Sequence, residues 1–251
     1  MSDTIYYIIL VITGLIAGVI NTLAGGGSNL TIPALMLLGM PADVANATNR
    51  VGVLMQSVSG IAGFAKHKKL PQDDLTSIVL LTLVAGALGA LSASLFTPDI
   101  LTYILLGSMV TMALVMLVMP GLVLAQQSNH RRLTASPSRW LMLFVAGFYG
   151  GLIQAGVGFL LLAAFTGALH YDLARANALK LVATLAFTVI AVIIFIAQDL
   201  IIWLPAIALA CGSMVGAWLG VKVTLNISGH TMRWLLFVMT LIVSCLVLLK
   251  N

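Results

Sequence analysis

Residues 14–50 read GLIAGVINTLAGGGSNLTIPALMLLGMPADVANATNR, and the interruption at Gly25-Gly26-Gly27 decides how the rest of the chain is read. An apolar segment stops at three consecutive glycines, restarts as residues 28–40, is broken by Pro33, and leads through Pro41 and Asp43 into Asn46, Thr48, Asn49 and Arg50. The restarted piece gives only ~20 Å of helix against a hydrocarbon core of ~30 Å, too short to span it. It suits a hairpin that enters a bilayer and returns, with the glycines at its turning point.

The whole chain has the composition such a hairpin needs. Hydrophobic residues make up 61% of 251 positions and charged residues 8%, too little polar surface to coat a water-soluble globule. Apolar runs recur along the full length, so the fold class expected is all-α, a polytopic membrane helical bundle. A barrel is excluded by run length and by the missing period-two alternation.

There is no glutamate, and the seven acids, Asp3, Asp43, Asp73, Asp74, Asp99, Asp172 and Asp199, fall almost entirely at segment ends. A pI near 9.5 therefore reads as a set of topology signals, with no nucleic-acid partner expected. Cys211 and Cys245 sit in apolar runs, where a thiol acts as a small buried hydrophobe, and neither their spacing nor their context suggests a metal or a disulfide. No cofactor is expected. The N-terminal Met1-Ser2-Asp3-Thr4 lacks the basic start of a cleavable signal, so the first span is expected to be retained.

Ten helical segments are predicted, at 5–24, 28–40, 42–65, 74–96, 99–124, 140–155, 157–169, 174–198, 200–224 and 231–249. Residues 140–155 and 157–169 form a second pair of short segments, split around Gly156-Val157-Gly158. Basic residues gather at Lys66-His67-Lys68-Lys69, at His130-Arg131-Arg132 with Arg139, at Arg175, and near Lys222 and Arg233; the turns at Asp99 and Asp199 have none. If each glycine-broken pair is a hairpin and the other six segments cross, all these clusters fall on the cytoplasmic side. Both termini then face outward.

That threading makes the two halves inverted repeats, residues 1–125 and 140–251, joined by a cytoplasmic linker at 126–139. Each half has one broken hairpin and three crossing helices. Gly14-x-x-x-Gly18-x-x-Asn21 corresponds to Gly147-x-x-x-Gly151-x-x-Gln154, Gly25-Gly26-Gly27 to Gly156-Val157-Gly158, and Ala45-Asn46-Ala47 to Ala176-Asn177-Ala178. Gly86-Ala87 and Gly216-Ala217 correspond as well, on small-residue faces that let helices approach closely.

The chemistry follows from these breaks. A half-helix starting at a glycine turn offers unpaired N–H groups to an anion. Its polar companions recur in both halves: Asn21 with Gln154, Asn46 with Asn177, and Asn49 with Lys180, with Arg50 one position on. With Asp43 and Asp172 as helix caps, Arg50 and Lys180 lie about two turns in, ~11 to 12 Å from the helix starts. A cation at that depth needs water, a partner or a ligand, and no acid in the sequence serves both. The expected site is therefore electropositive and takes a small anion, lined by Asn21, Gly25, Gly26, Gly27, Ser28, Asn46, Asn49, Arg50, Gln154, Gly156, Gly158, Asn177 and Lys180. Gly14, Gly18, Gly147 and Gly151 read as packing residues, and Trp140, Trp203 and Trp234 as interface anchors.

At these residues the chain resembles the sulfite exporter TauE/SafE family of membrane transporters. The resemblance rests on Asn21-Thr22-Leu23-Ala24-Gly25-Gly26-Gly27-Ser28, Thr31-Ile32-Pro33-Ala34 and Ala47-Thr48-Asn49, and extends through Gly150 to Lys180. The second glycine motif departs from the pattern, with Phe159 directly after Gly158. The resemblance implies transport of sulfite or a small organosulfonate such as a sulfoacetate-like anion, generally outward across the bacterial inner membrane.

The mechanism expected is alternating access of the two halves about a midplane site. An inside-negative potential favours anion export by ~2.3 kcal/mol per charge per 100 mV. Protons are a coupling ion compatible with this chemistry. A passive anion channel and an uptake permease for a related anion are the other readings that fit the same pore; an enzyme is not expected, because His, Cys and acids never gather on one face.

Overall fold

The structure, a computed structural model, describes residues 3–118, 133 and 136–226. The predicted segment 231–249 and the linker's basic residues His130, Arg131 and Arg132 lie outside them, as do Arg233, Trp234 and Cys245.

The described residues form a helical bundle with no strand. In chain order the helices are α1 (Asp3–Leu23), α2 (Ser28–Leu37), α3 (Ala42–Lys66), α4 (Leu75–Ala93), α5 (Pro98–Val118), α6 (Pro137–Leu152), α7 (Val157–Leu162), α8 (Leu173–Ala197) and α9 (Trp203–Asn226). The final turns of α7 widen into a π-helix, Ala163–Ala168. These bounds follow the predicted segments closely, because each break coincides with glycine, proline or a charged turn. Pro33 corrects an expectation: it lies inside α2 without breaking it, since a membrane bundle can accommodate the one backbone hydrogen bond a proline removes. Helices α1, α4, α8 and α9 are long and apolar enough to cross a membrane.

What faces outward is apolar, as a lipid solvent requires. Ile5, Ile8, Ile12 and Ile16 form an exposed stripe on α1, and Leu80, Val84, Leu88 and Leu91 form another on α4. Trp140 and Trp203, near the starts of their helices, are also exposed. Cys211 corrects an expectation: the apolar run around it points to a buried thiol, but it is exposed on α9 between Ile207 and Val215. Lipid is as apolar as a protein core, so a thiol is tolerated on either side.

Helix α3 is inverted in this sense. Asn46, Thr48, Asn49, Arg50, Gln56 and Ser57 are all buried, so its polar groups point into the protein.

Without a hydrophobic drive between helices in lipid, close backbone approach must hold the bundle together. Two parallel helix pairs supply it. Along α1 and α9, a Cβ on Gly14 would overlap the Leu209 carbonyl and one on Gly18 the Ser213 carbonyl; from the other side, Gly212 and Gly216 meet the carbonyls of Val11 and Leu15. Along α4 and α6, Gly89 meets the Phe148 carbonyl and Gly151 the Gly86 carbonyl. Helix α3 runs alongside α9 in the same sense, with Gly52 at Leu209 and Gly63 at Val221. It runs against α8, with Gly60 beside Leu181 and Arg50 beside Phe195.

Gly18→Val is accordingly expected to cost about 1 to 3 kcal/mol, the usual effect of overpacking. Thermal unfolding of the detergent-solubilised protein measures it, and an unchanged midpoint would contradict the close approach.

The α3–α4 loop is tied to its surroundings by its acids. Asp74 accepts from the Leu133 amide at 2.7 Å, and the Tyr171 hydroxyl donates to the Asp73 carbonyl at 3.3 Å.

Candidate functional site

Each glycine break ends one helix and begins another inside the bundle. After α1 the chain closes its last turn with the Ala24 and Gly25 amides on the Ile20 carbonyl, passes through Gly25 at φ +91°, and restarts at Ser28. The amides of Gly26, Gly27 and Ser28 have no acceptor among the described residues. After α6 the Ile153 and Gln154 amides close on the Tyr149 carbonyl, and Gly156 at φ +74° leads into α7. The Tyr149 hydroxyl donates to the Ala155 carbonyl at 2.6 Å and pins this second break.

The two breaks touch. A Cβ on Gly25 would overlap the Gly158 backbone, and a Cβ on Gly158 would overlap the Gly25 backbone. Gly26 faces the Phe159 ring, so the ring that directly follows Gly158 fills the space over the first break. Gly27 packs against the Ala17 carbonyl and the Asn21 side chain.

The two buried cations are held crosswise. Arg50, on α3, donates to the carbonyls of Gly150 at 2.5 Å and Gly151 at 2.7 Å, near the end of α6, with Phe195 5.7 Å below its guanidinium. Lys180, on α8, donates to the carbonyls of Asn21 at 2.6 Å and Thr22 at 2.9 Å, near the end of α1, and to Asn177 Oδ1 at 2.7 Å. Each cation sits where a helix presents unpaired carbonyls and the negative end of its dipole. Apart from Asn177 Oδ1, the partners of Arg50 and Lys180 are backbone oxygens, which no inspection of side-chain types reveals.

The remaining polar residues divide into engaged and orphaned groups. Asn49 is fully engaged, accepting from Thr31 Oγ1 at 2.6 Å and donating to Ser28 Oγ at 3.2 Å, so it fastens α2 to α3. Asn46 donates to the Leu152 carbonyl at 3.3 Å. Asn46 Oδ1, Asn177 Nδ2, Arg50 Nε and both side-chain polar atoms of Gln154 are buried without partners. Gln154 also holds a left-handed backbone, φ +66°, unusual for a residue with a Cβ.

Asp172 caps α8 by accepting from the Arg175 amide at 3.0 Å, as expected. Asp43 does not cap α3: Pro41 occupies that position and Asp43 lies within the first turn. Proline, with its fixed φ, is already suited to leading a chain into a helix.

All thirteen residues expected at the site are buried. Tyr149 and Phe195 also shape this region and carry no sequence signal, since each is an aromatic residue in an apolar run; Thr31 and Phe159 are marked in the sequence only through the resemblance, not as site residues. No group of three or more His, Cys, Asp or Glu that would hold a metal occurs among the described residues.

Comparison with known proteins gives a consistent picture. The family model described as Sulfite exporter TauE/SafE matches residues 10–247. The chain is similar to the Probable membrane transporter protein YfcA of Escherichia coli (strain K12), with 28% identity over 236 residues, covering 94% of this chain and 87% of that protein. It is similar to the Probable membrane transporter protein ORF9 of Sinorhizobium sp, with 24% identity over 243 residues, covering 96% and 92% respectively. A Probable membrane transporter protein of Haemophilus influenzae is 26% identical over 232 residues, covering 92% and 90%.

Proposed function

Because the chain belongs to the Sulfite exporter TauE/SafE family and is a membrane transporter, we propose that it carries a small sulfur-containing anion, sulfite or an organosulfonate, outward across the bacterial inner membrane. It does so by alternating access, with two inverted halves rocking about the paired glycine breaks.

One observation carries this reading: two helix breaks meet inside the bundle, surrounded by buried polar atoms that have no protein partner. Amides of Gly26, Gly27 and Ser28 stand at the start of α2, where an anion is favoured. Arg50 Nε, Asn177 Nδ2 and Gln154 lie on or beside the segments that form the breaks. A buried polar atom left unpaired costs about 1 to 3 kcal/mol, so a ligand that pairs several at once gains binding energy there. Sulfur oxyacid anions present several acceptor oxygens within one small group, which matches the surplus of donors.

The crosswise contacts support the halves moving as a pair. Arg50 of the first half holds α6 of the second, and Lys180 of the second holds α1 of the first. Burial of every break residue favours a carrier over an open channel, because no solute reaches the breaks without a rearrangement.

Proteoliposomes loaded with sulfite, sulfate, thiosulfate or a sulfonate, with and without imposed pH and sodium gradients, test the proposal. The expected result is saturable, counter-exchanging flux of sulfite or a sulfonate. Acceleration by a pH gradient identifies protons as the coupling ion. Unsaturable conductance, or no flux of any of these anions, would overturn the reading.

A further inference from the structure

Asn46 and Asn177 occupy matching positions in the two halves, yet they present opposite atoms to the interior. Asn46 bonds the Leu152 carbonyl at 3.3 Å, and a carbonyl only accepts, so the amide nitrogen must face it and Oδ1 is left over. Asn177 bonds the Lys180 ammonium at 2.7 Å, which only donates, so its oxygen must face the lysine and Nδ2 is left over. Both leftover atoms are buried and unpaired. The partners fix both amide orientations.

Around the end of α6 this creates a mixed set. Asn46 and Arg50 lie one turn apart on the same face of α3, and both hold carbonyls within Gly150 to Leu152. Gln154 follows two residues later, with both of its polar side-chain atoms free. The set offers donors at Arg50 Nε and Gln154 Nε2, a fixed acceptor at Asn46 Oδ1, and a second acceptor at Gln154 Oε1, whose amide no partner fixes.

A bare oxyanion has only acceptors. It would satisfy the donors but would set its lone pairs against Asn46 Oδ1, which then stays unpaired. We propose that the substrate carries its own O–H or N–H donor alongside the negative group, and that Asn46 Oδ1 receives it while Arg50 Nε and Gln154 hold the anionic oxygens. This rests on the anion-carrier reading above and narrows it to hydroxylated, aminated or monoprotonated anions. Asn46 is then the residue that sets specificity, and its counterpart Asn177 supplies a donor.

Two matched pairs of ligands test this on the purified full chain by titration calorimetry: 2-hydroxyethanesulfonate against ethanesulfonate, and glycolate against acetate. Members of a pair share a charge and nearly a size and differ in one hydroxyl. The hydroxylated sulfonate is expected to bind about tenfold more tightly than its partner, as one buried acceptor satisfied or left unpaired requires. In Asn46→Ala the ratio between the two is expected to fall to about one. Equal affinities in the unmutated protein, the result if a trapped water already satisfies Asn46, would overturn the inference while leaving the carrier reading standing. A preference that persists in Asn46→Ala would remove Asn46 from the role. Binding of none of the four anions would remove the anion reading itself, and this inference with it.

Discussion

Gly25→Ala is expected to abolish transport and to lower stability by roughly 2 to 5 kcal/mol. Two separate penalties add at this position. The backbone is left-handed at φ +91°, a conformation that disfavours any residue with a Cβ. The new methyl would also run into the Gly158 backbone, which cannot move aside as a side-chain tip does. Gly26→Ala, one residue on, is the control. Its Cβ would meet only the edge of the Phe159 ring, at 2.8 Å, so the ring must shift and the expected loss of stability is smaller. Uptake into proteoliposomes and thermal unfolding in detergent measure both variants. A Gly25→Ala protein with the normal midpoint and normal flux would mean that the two breaks do not touch in the working transporter.

Lys180→Met should lower stability by about 2 to 4 kcal/mol, through the carbonyls it strands rather than through the charge it removes. Its ammonium supplies hydrogens to Asn21 O, Thr22 O and Asn177 Oδ1, all within 2.9 Å. Methionine fills the volume but donates nothing, leaving the end of α1 uncapped in a buried setting. Arg50→Met should behave alike at the end of α6, where Gly150 and Gly151 lose both donors. Arg50→Lys should fall between, because a single ammonium cannot reproduce the planar two-pronged reach of a guanidinium. Thermal midpoints of the four proteins decide the matter: if both methionine variants unfold with the unmutated protein, the crosswise caps contribute nothing.

These caps change what the buried cations imply. From the sequence, Arg50 and Lys180 have no acid to pair with, which points to a strongly electropositive site. In the fold most of their donors are already committed to helix ends, and the donors still free are Arg50 Nε, Asn177 Nδ2, the Gln154 amide and the amides at the start of α2. The site proposed is therefore built chiefly from amides, with positive charge offered only at the one guanidinium edge, Arg50 Nε, that the caps leave free. Asn49 illustrates the same shift, since both its polar atoms serve to fasten α2 to α3.

By itself the sequence determined the solvent and the breaks. A chain 61% hydrophobic has to live in lipid, and the glycine triplet and Pro41 mark where helices start and stop, so helix limits such as those of α2 and α3 follow from local chemistry, although Pro33 is carried inside α2. The packing glycines were legible for the same reason, because small residues one turn apart mark a face where helices meet. Only the tertiary structure decided that Gly25 lies on Gly158, that Arg50 reaches α6 while Lys180 reaches α1, and which atom of Asn46 is left facing inward. Those facts depend on backbone carbonyls more than a hundred residues away, and a carbonyl is the same in every residue, so the sequence carries no mark of which one a buried cation or amide will find.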